Sequence, residues 1–255
     1  MSDISNLFPP AWSLNLGQAG RIIVLLSAAL FVFSAIGWFF GNKSKGGQLA
    51  GKLSFTIGSL GLFATFAILA ILFVNNRFEY EYIWQHADSK NTIPYRIAGI
   101  WSGQQGSFLL WGTASAVFGL IIVRLTGAYR RWFTISYALF LGAICGILAY
   151  ETPFDLVKDF ALNGVMKTPH NGSGMTPSLQ NYWVVIHPPV IFLGFGSLTV
   201  MFALSVAAML TGNAVDWARI ARPWALISSA VLGLGLCMGG MWAYETQGWG
   251  GFWAW

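Results

Sequence analysis

Charge is what this 255-residue chain has least of. Asp, Glu, Lys and Arg together supply 9% of it, against about a quarter in an ordinary soluble domain. Apolar side chains supply 56% and the mean hydropathy is +0.61, so a typical water-soluble domain is excluded and a polytopic membrane protein is indicated. Cysteine is nearly missing. Cys145 and Cys237 sit singly in apolar runs, in neither a CxxC pair nor metal-ligand spacing, which excludes thiol chemistry of the chain's own and makes both small packing residues. No basic stretch precedes the first apolar run, so no cleavable leader is expected and the first span stays attached. The net charge of +5 is dispersed over loops; without a patch it speaks for membrane orientation and against nucleic acid as a partner.

What fills the chain instead is long apolar runs. Six are long enough to cross a bilayer, about 22–40, 53–74, 98–123, 132–150, 188–210 and 224–244. The expectation is one all-α integral membrane domain over 1–255, a bundle of six spanning helices with lipid around it. Three short loops, carrying Lys43, Lys45 and Lys52, then Arg124, Arg130 and Arg131, then Arg219 and Arg222, collect eight basic residues. The positive-inside rule puts these in the cytoplasm and puts loops 75–97 and 151–187, with both termini, outside. Tyr150-Glu151-Thr152 and Tyr244-Glu245-Thr246 close two spans at that outer end. A tyrosine followed by a carboxylate suits a helix reaching the headgroups, so neither glutamate is read as a catalytic acid.

Chemistry concentrates on the outer side. Residues 245–255 end in Trp249-Gly250-Gly251-Phe252-Trp253-Ala254-Trp255. Tryptophans around a glycine pair suit either a flat shelf for a planar ligand or an interfacial aromatic belt. His187 precedes Pro188 and Pro189, and proline belongs in a first helical turn, so the fifth span is expected to begin at these prolines with His187 at its mouth. There the imidazole suits a metal or heme iron, or else a cap or headgroup contact. His86 and His170 have polar neighbours and no rigid partner, and rank below it. Gly103, Gln104, Gln105, Gly106 and Ser107 open the third span; they serve either tight helix packing or an outer cavity shared with the tail.

These blocks resemble a known family. The tail resembles the start of the tryptophan-rich "WWD" signature, Ile186-His187-Pro188-Pro189-Val190 resembles a His-Pro-Pro helix entrance, and Trp101-Ser102-Gly103-Gln104-Gln105-Gly106-Ser107 with Trp111 resembles a Trp-x-Gly-x-Glu-Gly-Ser block. In that order they are similar to the cytochrome c maturation heme lyases of the CcmF type, within the heme-handling group that includes CcmC and CcsA. The resemblance covers about 95–255 and implies the N-terminal portion of such a protein, because the signature's aspartate and the downstream histidines would follow Trp255. It implies heme b held non-covalently as substrate. His187 would be an axial iron ligand, and Trp249, Gly250, Gly251, Trp253 and Trp255 the stacking platform. It further implies apocytochrome c as the acceptor, through carbon–sulfur bonds to its CxxCH motif. The other expected partners are further maturation proteins, a heme chaperone and a thiol-reducing subunit, in a bacterial inner membrane. Gln105 stands where the family often has glutamate, which removes a charge from that position. Arg77, Arg96, Lys158 and Lys167 are the cations available to heme propionates. Two other roles remain on the sequence: heme transport or relay without lyase chemistry, and a scaffold whose tryptophans are anchors.

Overall fold

A computed structural model describes residues 8–41, 44–158, 161–162, 165–166, 168–213 and 215–246. The platform residues Trp249, Gly250, Gly251, Trp253 and Trp255, and Lys167, lie outside the described residues. Eight helices follow one another: α1 (Ala11–Phe40), α2 (Lys45–Val74), α3 (Glu81–His86), α4 (Ile93–Gly99), α5 (Gln104–Ile122), α6 (Arg130–Tyr150), α7 (Trp183–Thr211) and α8 (Trp217–Thr246). Beyond them is a two-residue antiparallel pair, β1 (Ala161–Leu162) with β2 (Val165–Met166). The fold is all-α. Six helices, α1, α2, α5, α6 with the turn before it, α7 and α8, are long and apolar enough to cross a membrane.

Four of them have 29 or 30 residues, about 45 Å at 1.5 Å per residue, well beyond a ~30 Å hydrocarbon core. They therefore project past it or tilt. Apolar surface gains little by leaving lipid for a helix neighbour, so small residues and buried hydrogen bonds must bring the helices together. At the α1–α2 seam Gly37 and Gly51 are in backbone contact, where a Cβ on Gly37 would fall 2.8 Å from the Gly51 nitrogen. The Ser34 hydroxyl donates to the Gly51 carbonyl at 2.8 Å. Where α1, α2, α5 and α6 meet, Phe31, Phe55, Leu62, Phe133, Tyr137 and Leu141 are buried, and the Tyr137 hydroxyl donates to the Ser115 carbonyl at 2.7 Å. α7 packs on α5 and α6, and α8 packs chiefly on α7. Cys145 belongs to this core, whereas Cys237 is exposed on α8, so only the first is a packing residue.

The end of the bundle holding residues 75–103 and 151–182 is ordered by polar contacts. Tyr80 bridges Leu156. The Tyr80 hydroxyl donates to the Ser13 carbonyl at 2.7 Å, the Ser13 hydroxyl donates to the buried Glu79 carboxylate, and Arg77 pairs with Glu79 at 3.0 Å. Arg21 and Asp155 form a second, exposed ion pair at 2.9 Å. These contacts pin the start of α1 to both long loops.

Candidate functional site at the α7 entrance

The helix bearing His187 does not start at its prolines. α7 begins at Trp183, so Pro188 and Pro189 lie inside it and His187 is the fifth helical residue, about 6 Å along the axis from the start. The upstream turn supplies the start signal. The Asn181 side chain accepts from the Trp183 N–H at 3.2 Å, and the Val184 and Val185 N–H groups bond to the Asn181 and Tyr182 carbonyls. An interior proline has no N–H for the carbonyl four residues back, so Pro188 orphans the carbonyl of buried Val184. That carbonyl accepts the Trp101 indole N–H at 2.7 Å. Two sequence blocks 83 residues apart thus complete one another, and a helix entrance that sequence rules forbid is built by a borrowed donor.

His187 points at α8. A Cβ on Gly239 would lie 2.9 Å from the His187 Cε1, and one on Gly235 would lie 2.7 Å from Ile191 Cδ1. His187 and Ile191 are four residues apart, as are Gly235 and Gly239, so two side chains on one face of α7 enter two glycine notches on one face of α8. Trp242, one turn further along α8, meets the imidazole edge to face at 5.7 Å between ring centres, a contact of about 0.5–1.5 kcal/mol beyond its burial. Nδ1 of His187 and Nε1 of Trp242 are buried without a hydrogen-bond partner among the described residues. Glu245 closes the mouth above, accepting from the Trp183 indole at 2.8 Å and from the Tyr182 hydroxyl at 3.1 Å. Its sequence counterpart Glu151 is an exposed helix cap, so the two Tyr-Glu-Thr echoes do different things.

The entrance to α5 also differs from a span starting near 98. α4 ends at Gly99, and a break at Ile100–Gly103 separates it from α5. One phenol ties the break: the Tyr82 hydroxyl donates to the Ile100 carbonyl at 2.8 Å and accepts from the Gly103 and Gly106 N–H groups at 3.2 Å each. Burial raises the Tyr82 phenol well above its ordinary value, so it keeps the proton it donates. A Cβ at Gly106 would lie 1.4 Å from the Ile100 oxygen, so no other residue fits there. Gln104 lines a groove of about 260 Å³ with Ser107, Phe108, Trp111, Phe192 and Phe195; Gln105 does not line it.

The remaining candidates are placed as follows. His86 has the rigid partner its neighbours in sequence do not reveal: Nδ1 is 2.7 Å from the Tyr82 carbonyl and the ring lies 4.4 Å from that of Tyr82. Burial holds its pKa below the usual histidine value. His170 is exposed. Arg77 is spoken for by Glu79 and by the Trp12 ring. Arg96 donates to the carbonyls of Asn91, Val74 and Ser89. Lys158 is exposed and forms no ion pair among the described residues. Sequence reasoning did not single out Trp242, Gly239 or Glu245 as parts of the site. The glycines of α8 at i and i+4 are the signal that could have found the notch.

The family model described as "Cytochrome C assembly protein" matches residues 101–255, from the indole that caps Val184 onward. CcmF of Haemophilus influenzae is 31% identical, covering 94% of this chain and 37% of its own length. CycK of Rhizobium meliloti is 31% identical, over 95% of this chain and 35% of its own length. A solved structure, "Cytochrome c Heme Lyase CcmF", superposes with a TM-score of 0.77 at 22% identity, covering 94% of this chain and 38% of that one, a likeness of fold. The chain therefore spans a little over a third of the relatives it matches. It is a multi-pass membrane protein that belongs to the cytochrome c assembly family, of the CcmF type.

Proposed function

We propose that this chain handles heme at the outer face of a bacterial inner membrane during cytochrome c-type biogenesis, with the His187 imidazole as an axial ligand to the iron. The observation that carries the reading is the seating of His187: an imidazole locked between a glycine notch and Trp242, with Nδ1 buried and without a hydrogen-bond partner among the described residues. A rigid imidazole amid aromatic and glycine surfaces fits a heme by type and by surroundings. Trp249, Gly250, Gly251, Trp253 and Trp255 then supply the stacking platform, following Glu245 in the chain by a few residues.

Heme is the substrate, and its attachment to apocytochrome c adds each cysteine S–H of a CxxCH motif across a vinyl group. Sulfur bonds to one vinyl carbon, the proton goes to the other, and no net oxidation occurs. What the chain contributes is positioning: His187 fixes the iron, the tryptophans fix the plane, and the vinyl edge is left open to the incoming peptide. A heme chaperone and a thiol-reducing subunit are the partners such chemistry needs, the one to deliver heme and the other to keep the thiols reduced. Transport across the membrane is the other role considered, and it calls for ionisable groups along a path through the spans. Among the described residues both ion pairs, Arg21–Asp155 and Arg77–Glu79, stand at the long-loop end, which favours surface handling.

The test is His187→Ala in purified protein and in a strain lacking the native relative. The heme absorbance band should fall, heme-stained c-type cytochromes should disappear, and added imidazole should restore the band. An unchanged band with normal cytochrome maturation would refute the ligand assignment. A Trp253→Ala strain with normal membrane levels and normal heme staining would refute the platform.

A further inference from the structure

At the opposite end of the bundle, where the short basic loops lie, a pocket of about 110 Å³ opens between α1, α2, α5 and α6. Lys52, Arg124 and Arg130 stand at its rim, Phe55 and Leu120 form its wall, and Trp38 forms its floor. Trp38 is 8% exposed, and its indole nitrogen has no acceptor among the described residues. No ion pair forms with any of the three rim cations among the described residues; the two that form there are at the other end. Neither 41–52 nor 124–131 contains Asp or Glu; the carboxylate of Asp216, in the turn before α8, accepts from the Asn213 side chain and pairs with none of the three. Arg130 donates Nε to the Val123 carbonyl and one Nη2 hydrogen to the Arg124 carbonyl. The rest of its guanidinium is left to face the pocket's rim.

Among the described residues, three unpaired cations around an unused indole N–H are a donor set without an anionic acceptor. The acceptor must be anionic, to offset the mutual repulsion of the rim, and must offer several oxygens to donors arriving from different helices. It must also tolerate an apolar wall, and the nearby surface is lipid-facing, with Ile57, Ile121 and Leu125 exposed. We propose that this pocket holds the phosphate group of an anionic phospholipid, with Lys52, Arg124 and Arg130 around the oxygens and the Trp38 Nε1–H donating from below. Basic recesses between spanning helices are where such headgroups bind. An inorganic phosphate offers the same oxygens without the acyl chains, and the experiment separates the two.

The delipidated protein in neutral detergent is titrated with short-chain phosphatidylglycerol, phosphatidylcholine or inorganic phosphate, and the thermal midpoint is read. Phosphatidylglycerol should raise the midpoint saturably and phosphatidylcholine much less. Inorganic phosphate at equal concentration should do little if the lipid is the ligand; an equal rise would keep the phosphate site and assign it to a soluble anion. Lys52→Gln with Arg124→Gln removes two exposed charges and should weaken binding about 25-fold, about fivefold per charge. Trp38→Phe removes the indole N–H, leaves a smaller aromatic ring in place and keeps the backbone carbonyl to which Arg131 donates, and should also weaken binding. The proposal is overturned if neither anion moves the midpoint, if phosphatidylcholine matches phosphatidylglycerol, or if the double variant, folded by circular dichroism, responds as the unmodified protein does.

Discussion

Trp101→Phe removes one N–H together with part of the ring, and the cost of the lost N–H depends on Pro188. The Val184 carbonyl, on a residue 1% exposed, receives no helical hydrogen bond because residue 188 is proline, and takes the Trp101 indole N–H at 2.7 Å instead. With phenylalanine at 101 a buried acceptor goes unpaired, at about 1–3 kcal/mol; the smaller ring adds lost contact area. In a chain of this size 1 kcal/mol corresponds to about 2–4 °C, so a midpoint drop of roughly 2–12 °C is expected. Pro188→Ala changes that expectation, because alanine restores a backbone N–H that reaches Val184 in the ordinary helical way. In the Pro188→Ala background Trp101→Phe should then cost about 1–2 kcal/mol less, the coupling that a shared acceptor produces. The assay is a double-mutant cycle, four proteins unfolded in mixed detergent micelles with helix content as the signal. Refutation would be additivity: if the cost of Trp101→Phe is the same within about 0.5 kcal/mol in both backgrounds, the indole does not substitute for the missing amide.

Three further outcomes follow from the same geometry. Gly239→Val places a branched side chain where even a Cβ would sit 2.9 Å from the imidazole; heme absorbance should fall as it does in His187→Ala although His187 is intact, and equal binding would show that the notch does not seat the ring. Tyr82→Phe removes one donor and the acceptor of two N–H groups, so amide exchange at Gly103 and Gly106 should accelerate at least tenfold, with a stability loss of about 1–3 kcal/mol, while retained protection would contradict the tie. His86 has a pKa lowered by burial, so between its folded and unfolded values the unfolded chain binds more protons and stability rises with pH. Its contribution is complete above the unfolded value of about 6.5 and declines as pH falls below it; the drop in midpoint from pH 7.5 to 5 should shrink in His86→Asn, and an identical drop in both proteins would rule His86 out as its source.

The sequence displays the six long helices openly because lipid demands long apolar runs, and no competing signal of that length exists. Helix ends are another matter. The start of α7 is misplaced by proline rules that hold when no outside donor is at hand, and here the donor comes from Trp101, 83 residues earlier. The break at Ile100–Gly103 is hidden for a similar reason: Gly99, Gly103 and Gly106 permit it, but Tyr82 enforces it, and nothing local to either segment announces the pairing. His86 looks unsupported for want of that same tyrosine. His187 itself stands out in sequence because Pro188 and Pro189 are so distinctive; its notch does not, since Gly239 looks like any other glycine of a membrane helix.

These long-range ties bear on how an imidazole is aimed. His187 lies between the Val184 carbonyl, held by Trp101, and the Gly239 notch, held in place by the packing of Ile191 on Gly235. Trp183, four residues before it, is pinned to Glu245, three residues beyond Trp242. The first turns of α7 are therefore fixed to α4–α5 on one side and to α8 on the other. The iron ligand proposed for His187 needs that, because a rotation of α7 by one residue, about 100°, would turn His187 out of the α8 notch altogether. The double proline serves the same end. Pro188 removes the backbone N–H that would otherwise reach Val184, so that buried carbonyl takes its donor from Trp101, and the turn that carries the histidine is tied to the assembled bundle.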